Sequence, residues 1–233
     1  MTTANEKAEK GSFFFYGWVI VGLSFFTLAF HISARFSFAI FQVPLIAEFG
    51  WGRGALGGAY ALMMAVYAFF NPFMGSLIER KGPRAVMPWA SVCIGGALAA
   101  GYFITSLWHV YVLTGIFIGA GTALSGFSMH SALMPRWFAR KRGLATGIAL
   151  SGIGIGSLVL SPVIERMISA FSWRAAYLGY GIIVLLILAP AKFLLLRNRP
   201  EDVGQALDGL PPEAAGALAS PPEVGGPDRR VGE

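Results

Sequence analysis

Four side chains in the first long apolar segment recur at helical spacing: His31, Arg35, Phe38 and Gln42. Steps of three and four residues place them on one face of an α-helix. Lipid penalises a charged or polar face, so this one should line the bundle interior or an aqueous cavity. The Arg35 guanidinium is permanently charged and can bind a carboxylate through two parallel hydrogen bonds. We therefore expect Arg35 to contact an anionic substrate. The alternative is an arginine that reaches the outer membrane interface or caps a neighbouring helix end.

Other polar side chains are candidates for the same site. His31 lies nearer the midplane, where it would bind substrate or take a coupling proton, or pack as a histidine bonded to a neighbouring helix. His130, with Ser125 and Ser128 nearby, is expected to be mainly structural or gating, with substrate contact as the alternative. Tyr67, one turn before an Asn-Pro pair, is expected to line the cavity. The candidate substrate-binding set is Arg35, His31, Gln42, Tyr67 and His130.

The sequence lacks the groups that several other chemistries require. No Asp or Glu lies deep within an apolar segment, because Glu48, Glu79 and Glu165 are all near segment ends. A proton-coupled carrier usually needs a titratable group in its path. Either His31 serves, or the acid lies in a missing half, or anions are exchanged without protons. No metal-ligand cluster, nucleophile pair or phosphate loop is present, so we expect no enzyme, no metal and no cofactor.

The elements that position these residues are six apolar segments. The chain has 233 residues, 55% hydrophobic and 13% charged, whereas soluble domains carry roughly a quarter charged residues. A spanning helix needs about 20 apolar residues, because lipid offers no partners to bare backbone groups. This predicts an all-α membrane protein with a bundle over residues 13–196, between a short N-terminus (1–12) and a disordered tail or start of a central loop (197–233). The predicted helices lie near 13–47, 55–76, 85–105, 109–134, 143–165 and 174–196.

Positive residues fall mainly on one side of these segments. The other side receives Arg53, Arg166 and Arg174. Because cytoplasmic loops carry the excess of Lys and Arg, both termini should be cytoplasmic, in a plasma or inner membrane. The same placement argues against nucleic acid as the reason for the net charge of +6. The positive side contains Lys7, Lys10, Arg80, Lys81, Arg84, Arg136, Arg140, Lys141, Arg142, Arg197 and Arg199.

Two similar tetrapeptides indicate an internal repeat. Leu-Ile-Glu-Arg at 77–80 and Val-Ile-Glu-Arg at 163–166 each follow the second helix of a three-helix set. The two tetrapeptides lie on opposite membrane faces. A 3+3 inverted repeat predicts this arrangement.

A glycine-rich run lies inside the fifth segment. Gly152, Gly154 and Gly156 precede Pro162, and no strand comes before them. We interpret the run as a helix-packing surface rather than a dinucleotide loop, because small residues let two membrane helices approach closely.

The loop from Gly75 to Arg84 closely resembles the signature loop between helices two and three of the major facilitator superfamily. It has Gly, then Leu, an acid, a base, and then Gly and a further base, with Glu79 where the family usually has Asp. The resemblance implies a gating loop that latches the cytoplasmic side. Its residues would be Gly75, Glu79, Arg80, Gly82 and Arg84.

Further motifs over about residues 13–209 look like the monocarboxylate-transporter and oxalate/formate-antiporter branch. They are Phe-Tyr-Gly-Trp at 15–18, Glu-Phe-Gly-Trp at 48–51, the basic run 136–145, Ser-Trp-Arg at 172–174 and Arg-Pro-Glu-Asp at 199–202. The resemblance implies alternating-access transport of small organic anions, chiefly monocarboxylates, by a fold of twelve helices. This chain would be its N-terminal six-helix half, whose partner is a second half or another copy of itself. A non-transporting or truncated membrane protein is the remaining alternative.

Overall fold

A computed structural model describes residues 15–206 and 208, and this part of the chain contains no strand. Within it, six helices are long and apolar enough to cross a membrane. The predicted all-α, six-helix fold is confirmed, with boundaries shifted by a few residues. The helices are α1 (Gly17–Phe49), α2 (Arg53–Lys81), α3 (Pro83–Phe103), α4 (Leu107–Arg136), α5 (Arg142–Ala170) and α6 (Trp173–Leu195).

The packing of the helices follows the predicted inverted repeat. The main pairs are α1 with α5, α2 with α4, and α3 with α6. Suppose that α1, α2 and α3 are exchanged with α4, α5 and α6, respectively. The pair α1–α5 then becomes α4–α2, and the pair α3–α6 is unchanged. Two related three-helix units therefore interlock through their second helices, as an inverted-topology repeat requires.

The contact between α1 and α5 is built on two glycines. A Cβ added to Gly152 would overlap the backbone of Phe25, and one added to Gly156 would overlap Ala29. Small residues four apart let the helix backbones approach, which gains dispersion contacts that lipid cannot supply. Gly154 points the other way, where a Cβ would meet nothing within 4 Å.

The end of the bundle formed by the starts of α1, α3 and α5 and the ends of α2, α4 and α6 is called the basic end. Its basic residues include Arg80, Lys81, Arg84, Arg136 and the run 140–142. At the opposite end an ion pair joins α1 to α6, with Arg174 Nη1 2.7 Å from Glu48 Oε1. The indole Nε1 of Trp173 donates to Glu48 Oε2 over 2.6 Å.

The chain leaving α6 packs back onto the basic end. Residues Pro200–Val203 form a 3₁₀ turn, and the Gln205 Oε1 accepts a hydrogen bond from the Tyr16 N–H at 2.9 Å. A carboxylate oxygen of Asp208 accepts from the N–H groups of Ala139 and Arg140. The disordered tail expected from residue 197 therefore begins with a segment in contact with the bundle. Residues 207 and 209–233 lie outside the described part, as does the predicted N-terminus over 1–12.

Candidate functional site

Arg35 lies near the middle of α1, just before a local interruption of the helix at Ser37. The Ser37 hydroxyl donates to the Ala34 carbonyl over 3.1 Å, a local bond that competes with the helical pattern. The Arg35 side chain is half-buried, and its Nε is buried without a hydrogen-bond partner among the described residues.

Tyr67 of α2 lies beside Arg35. The guanidinium carbon is 5.5 Å from the Tyr67 ring centroid and 5.5 Å from that of Phe36, within the range of a cation–π interaction. The sequence proposed both Arg35 and Tyr67 as candidates, and the fold brings them together. Gln42, also half-buried, lies beyond the interruption at Ser37, nearly two turns from Arg35 along α1.

A cavity of about 450 Å³ lies between α2 and α4 towards the basic end. Asn71, one turn after Tyr67, lines it and places its amide Nδ2 3.5 Å from the Tyr67 hydroxyl. Arg136 at the end of α4 also lines the cavity. One face of α2 therefore runs from the surroundings of Arg35 to this cavity.

His31 is fully buried and points to α3. Its Nε2 is 3.1 Å from the Ser91 hydroxyl, which is the geometry of a packed histidine bonded to a neighbouring helix. His31 and Arg35 share a face of α1 by spacing, but His31 faces the protein core and Arg35 its edge.

The sequence reasoning missed Lys192 in the last turn of α6. This side chain is 1% exposed, and its ammonium donates to the Ser125 hydroxyl at 3.1 Å and to the Met87 carbonyl at 3.3 Å. The other side of the Ser125 hydroxyl faces His130 Nε2 at 3.3 Å. Lys192 lies inside the predicted segment 174–196, so a search for any charge within an apolar segment, and not only for acids, would have found it.

Helix α4 is broken where Lys192 reaches it. The α-helical run ends at Leu124, Ser125 adopts φ −152° and ψ 42°, and a new helical turn starts at Phe127. Irregular backbone at membrane depth is tolerated where protein groups satisfy it. The Lys192 Nζ lies beside the C-terminal end of the part of α4 that precedes the break. His130 is held in this buried polar cluster through its contact with Ser125.

The loop that resembles the superfamily signature has a well-defined turn. Gly82 adopts φ 78° and ψ 155°, a conformation open essentially to glycine alone. The Arg84 N–H then donates to Asn198 Oδ1 at 3.0 Å. A Cβ added to Gly75 would meet nothing within 4 Å in the described chain. Arg80 and Arg84 are exposed, and the Glu79 side chain lies outside the described part.

Arg35 lies near the middle of α1, and Arg136 lines the cavity between α2 and α4. Two positive charges in these places are suited to an anion. Within the described residues, no group of His, Cys, Asp and Glu side chains is placed to hold a metal ion.

Comparison with known proteins gives the family. The sequence model of the Major Facilitator Superfamily matches residues 15–222, which is most of the chain. The chain belongs to the Major Facilitator Superfamily. Within this superfamily it is 31% identical over 217 residues to monocarboxylate transporter 13 of Bos taurus, covering 93% of this chain and 46% of that protein.

Two further relatives place the chain in the monocarboxylate-transporter-like branch of the superfamily. Monocarboxylate transporter 11 of Homo sapiens is 35% identical over 188 residues, covering 78% of this chain and 38% of that protein. Monocarboxylate transporter 12 of Mus musculus is 32% identical over 175 residues, covering 73% and 35%. The chain spans less than half the length of these relatives.

Proposed function

We propose that this chain forms one half of a secondary carrier that moves small organic anions, chiefly monocarboxylates, across a membrane. The observation that carries the proposal is Arg35, a permanent charge near the middle of α1. No described carboxylate lies within 4.0 Å of it, since the described residues contain one ion pair, Arg174–Glu48. An arginine kept at depth without an acidic partner is suited to binding a carboxylate through two charge-assisted hydrogen bonds. The names of the relatives point to the same substrate class.

The proposed mechanism is alternating access. Substrate binds near the midplane between this bundle and a partner bundle, which rock against each other around the site. The carboxylate neutralises Arg35, which lowers the cost of excluding water from the occupied site. We place the basic end, and so both termini, on the cytoplasmic side because of its excess of Lys and Arg. There the loop around Glu79 latches the closed state.

Uptake measurements on substituted carriers test the role of Arg35. Labelled pyruvate is supplied outside proteoliposomes containing the carrier, and Arg35→Gln is compared with Arg35→Lys. Loss of a charged hydrogen bond costs about 1.5–3 kcal/mol, so we expect Arg35→Gln to lower the apparent affinity by roughly tenfold or more. Arg35→Lys keeps the charge and should retain part of the activity.

Arg142→Gln is the matched control, since Arg142 is an exposed arginine at the basic end. Its uptake should be close to that of the unsubstituted carrier. Equal uptake by Arg35→Gln and the control, with unchanged membrane insertion, would remove Arg35 from the substrate site.

A second candidate is a six-helix protein that works as a homodimer. Its support is the exposure of α2 and α5. The apolar stretches of these helices are 17% and 22% buried, whereas that of α1 is 67% buried. These faces are free to pack against another bundle. The third candidate, a membrane protein that transports nothing, predicts no uptake under any condition.

The intact mass of the protein in its native membrane separates these candidates. A mass near 24.9 kDa would favour the homodimer, which crosslinking through Cys93 or added reagents should then capture. A mass of about twice that value would show a conventional carrier with a second half on the same chain. The uptake experiment would then be carried out on that longer protein.

A further inference from the structure

The cavity between α2 and α4 has the size and polarity of a ligand site. Its volume of about 450 Å³ falls within the roughly 300–1,000 Å³ usual for small-molecule pockets. We infer that it is a second anion site, where a small carboxylate binds Arg136 on its way to or from Arg35. This inference rests on the proposed transport of anions and adds a separate binding step to it.

Arg136 supplies the positive charge of this site. It is the last residue of the 3₁₀ turn Met134–Arg136, at the C-terminal end of α4. Its side chain is half-buried. Among the described side chains, no carboxylate lies within 4.0 Å of its guanidinium. A guanidinium that faces a cavity in this way can offer parallel N–H groups to an entering carboxylate.

Two neutral polar groups line the cavity beside the apolar residues Pro72, Ile78, Met129 and Ala132. Asn71 contributes an amide from α2, and Ser128 an exposed hydroxyl from α4. Both side chains can donate hydrogen bonds to a carboxylate or to a polar substituent on the same molecule. Gly75 also lines the cavity, and a Cβ at that position would meet nothing within 4 Å.

The cavity is connected to Arg35 through one face of α2. Asn71 lines the cavity and contacts the Tyr67 hydroxyl, while the Tyr67 ring lies beside the Arg35 guanidinium. Steps of four residues from Tyr67 to Asn71 to Gly75 keep these positions on one helix face. An anion that leaves Arg136 therefore meets a polar, aromatic surface leading to the second arginine.

Cysteine protection tests the site without requiring transport. Cys93 is replaced by serine, and Ser128→Cys is introduced into the cavity wall of the full chain in lipid nanodiscs. The rate of reaction with N-ethylmaleimide is measured with pyruvate and with methyl pyruvate, an uncharged ester of similar size. We expect pyruvate to slow labelling severalfold and the ester to have little effect. The control Lys141→Cys, at an exposed loop position, should react at the same rate with and without pyruvate.

Arginine substitutions in the Ser128→Cys variant show which arginine holds the pyruvate that protects the cysteine. Arg136→Gln should weaken pyruvate protection roughly tenfold, as for loss of a charged hydrogen bond, and Arg136→Lys should restore part of it. Arg35→Gln should leave protection at position 128 nearly unchanged. Protection that survives Arg136→Gln, or that disappears equally with Arg35→Gln, would overturn the second site.

A second readout covers the case in which the cysteine variant does not fold. Line broadening of ¹³C-labelled pyruvate by the otherwise unsubstituted chain should fall in Arg136→Gln but not in Arg140→Gln, whose side chain is exposed outside the cavity. No difference between the two would also overturn the site. Failure of uptake with intact protection at residue 128 would instead count against the carrier proposal alone.

Discussion

The Lys192 ammonium donates a hydrogen bond of 3.1 Å to the Ser125 hydroxyl, at the point where α4 is broken. Side chains of a helix lean towards its N-terminus, so a lysine in the last turn of α6 reaches inwards to this break. The lower part of α4, which carries Ser128 and Arg136 of the cavity wall, starts immediately after it. The bond therefore fixes the junction between the cavity wall and the rest of the bundle.

The two partners of this bond should respond differently to substitution. Ser125→Ala leaves a buried ammonium short of an acceptor, which costs about 1–3 kcal/mol or more. Lys192→Met removes the buried donor, keeps an unbranched side chain of similar length, and leaves the Ser125 hydroxyl its contact with His130. We expect Ser125→Ala to lower the thermal unfolding temperature in detergent more than Lys192→Met. The reverse order would show that the ammonium itself stabilises the fold.

The glycines of α5 should fall into two classes. Gly152→Ala and Gly156→Ala would push α5 away from α1 and should destabilise the bundle by roughly 1–3 kcal/mol, the usual cost of overpacking. Gly154→Ala is the matched control on the same helix, where helix propensity favours alanine by up to about 1 kcal/mol. Unfolding by denaturant in a fixed detergent measures all three. Equal losses at 152, 154 and 156 would contradict the packing of α1 on α5.

The signature loop provides a similar comparison between Gly82 and Gly75. Gly82→Ala forces a side chain into a backbone conformation that costs about 1–3 kcal/mol, and its Cβ would lie 2.8 Å from Asn198 Oδ1. We expect a marked loss of thermal stability. Gly75→Ala meets open space in these six helices and should be tolerated by the isolated chain. If Gly75→Ala blocks uptake without loss of stability, a partner bundle approaches at that position.

The ion pair at the opposite end should be weak and sensitive to salt. Glu48 and Arg174 are partly exposed, with side-chain exposures of 40% and 31%, and solvent screens such a pair. A double-mutant cycle with Glu48→Gln and Arg174→Gln should give a small favourable coupling that decreases as ionic strength rises. Glu165→Gln, an exposed acid on α5, should show no coupling to Arg174. A coupling independent of salt would show that the pair is shielded from water.

The elements of this fold could be predicted because lipid imposes a simple rule on sequence. Apolar length located the six helices, and the paired tetrapeptides near the ends of α2 and α5 indicated the inverted repeat. The close packing of Gly152 and Gly156 followed from residue size. The opposite orientation of Gly154 follows from helical periodicity once the neighbour of α5 is known.

The contacts within the candidate site were harder to predict from the sequence than the helices. The contact between Arg35 and Tyr67 depends on how α1 and α2 are rotated about their axes, which apolar length does not specify. The break at Ser125 has no proline to mark it, and a serine next to a glycine is common in membrane helices. His31 and Arg35 share a helical face by spacing, yet a face is broad enough for one residue to point inwards and the other to the edge.

The hydrogen bond between Tyr16 and Gln205 brings the two ends of the described chain together at the basic end. The described part of the chain therefore nearly closes into a ring, and chain ends that lie close together favour circular permutation. If residues near 15 and 206 were joined by a short linker and the chain opened between α3 and α4, the order of helices would become 4-5-6-1-2-3. Such a permutein would exchange the positions of the two repeats in sequence while preserving each helix contact.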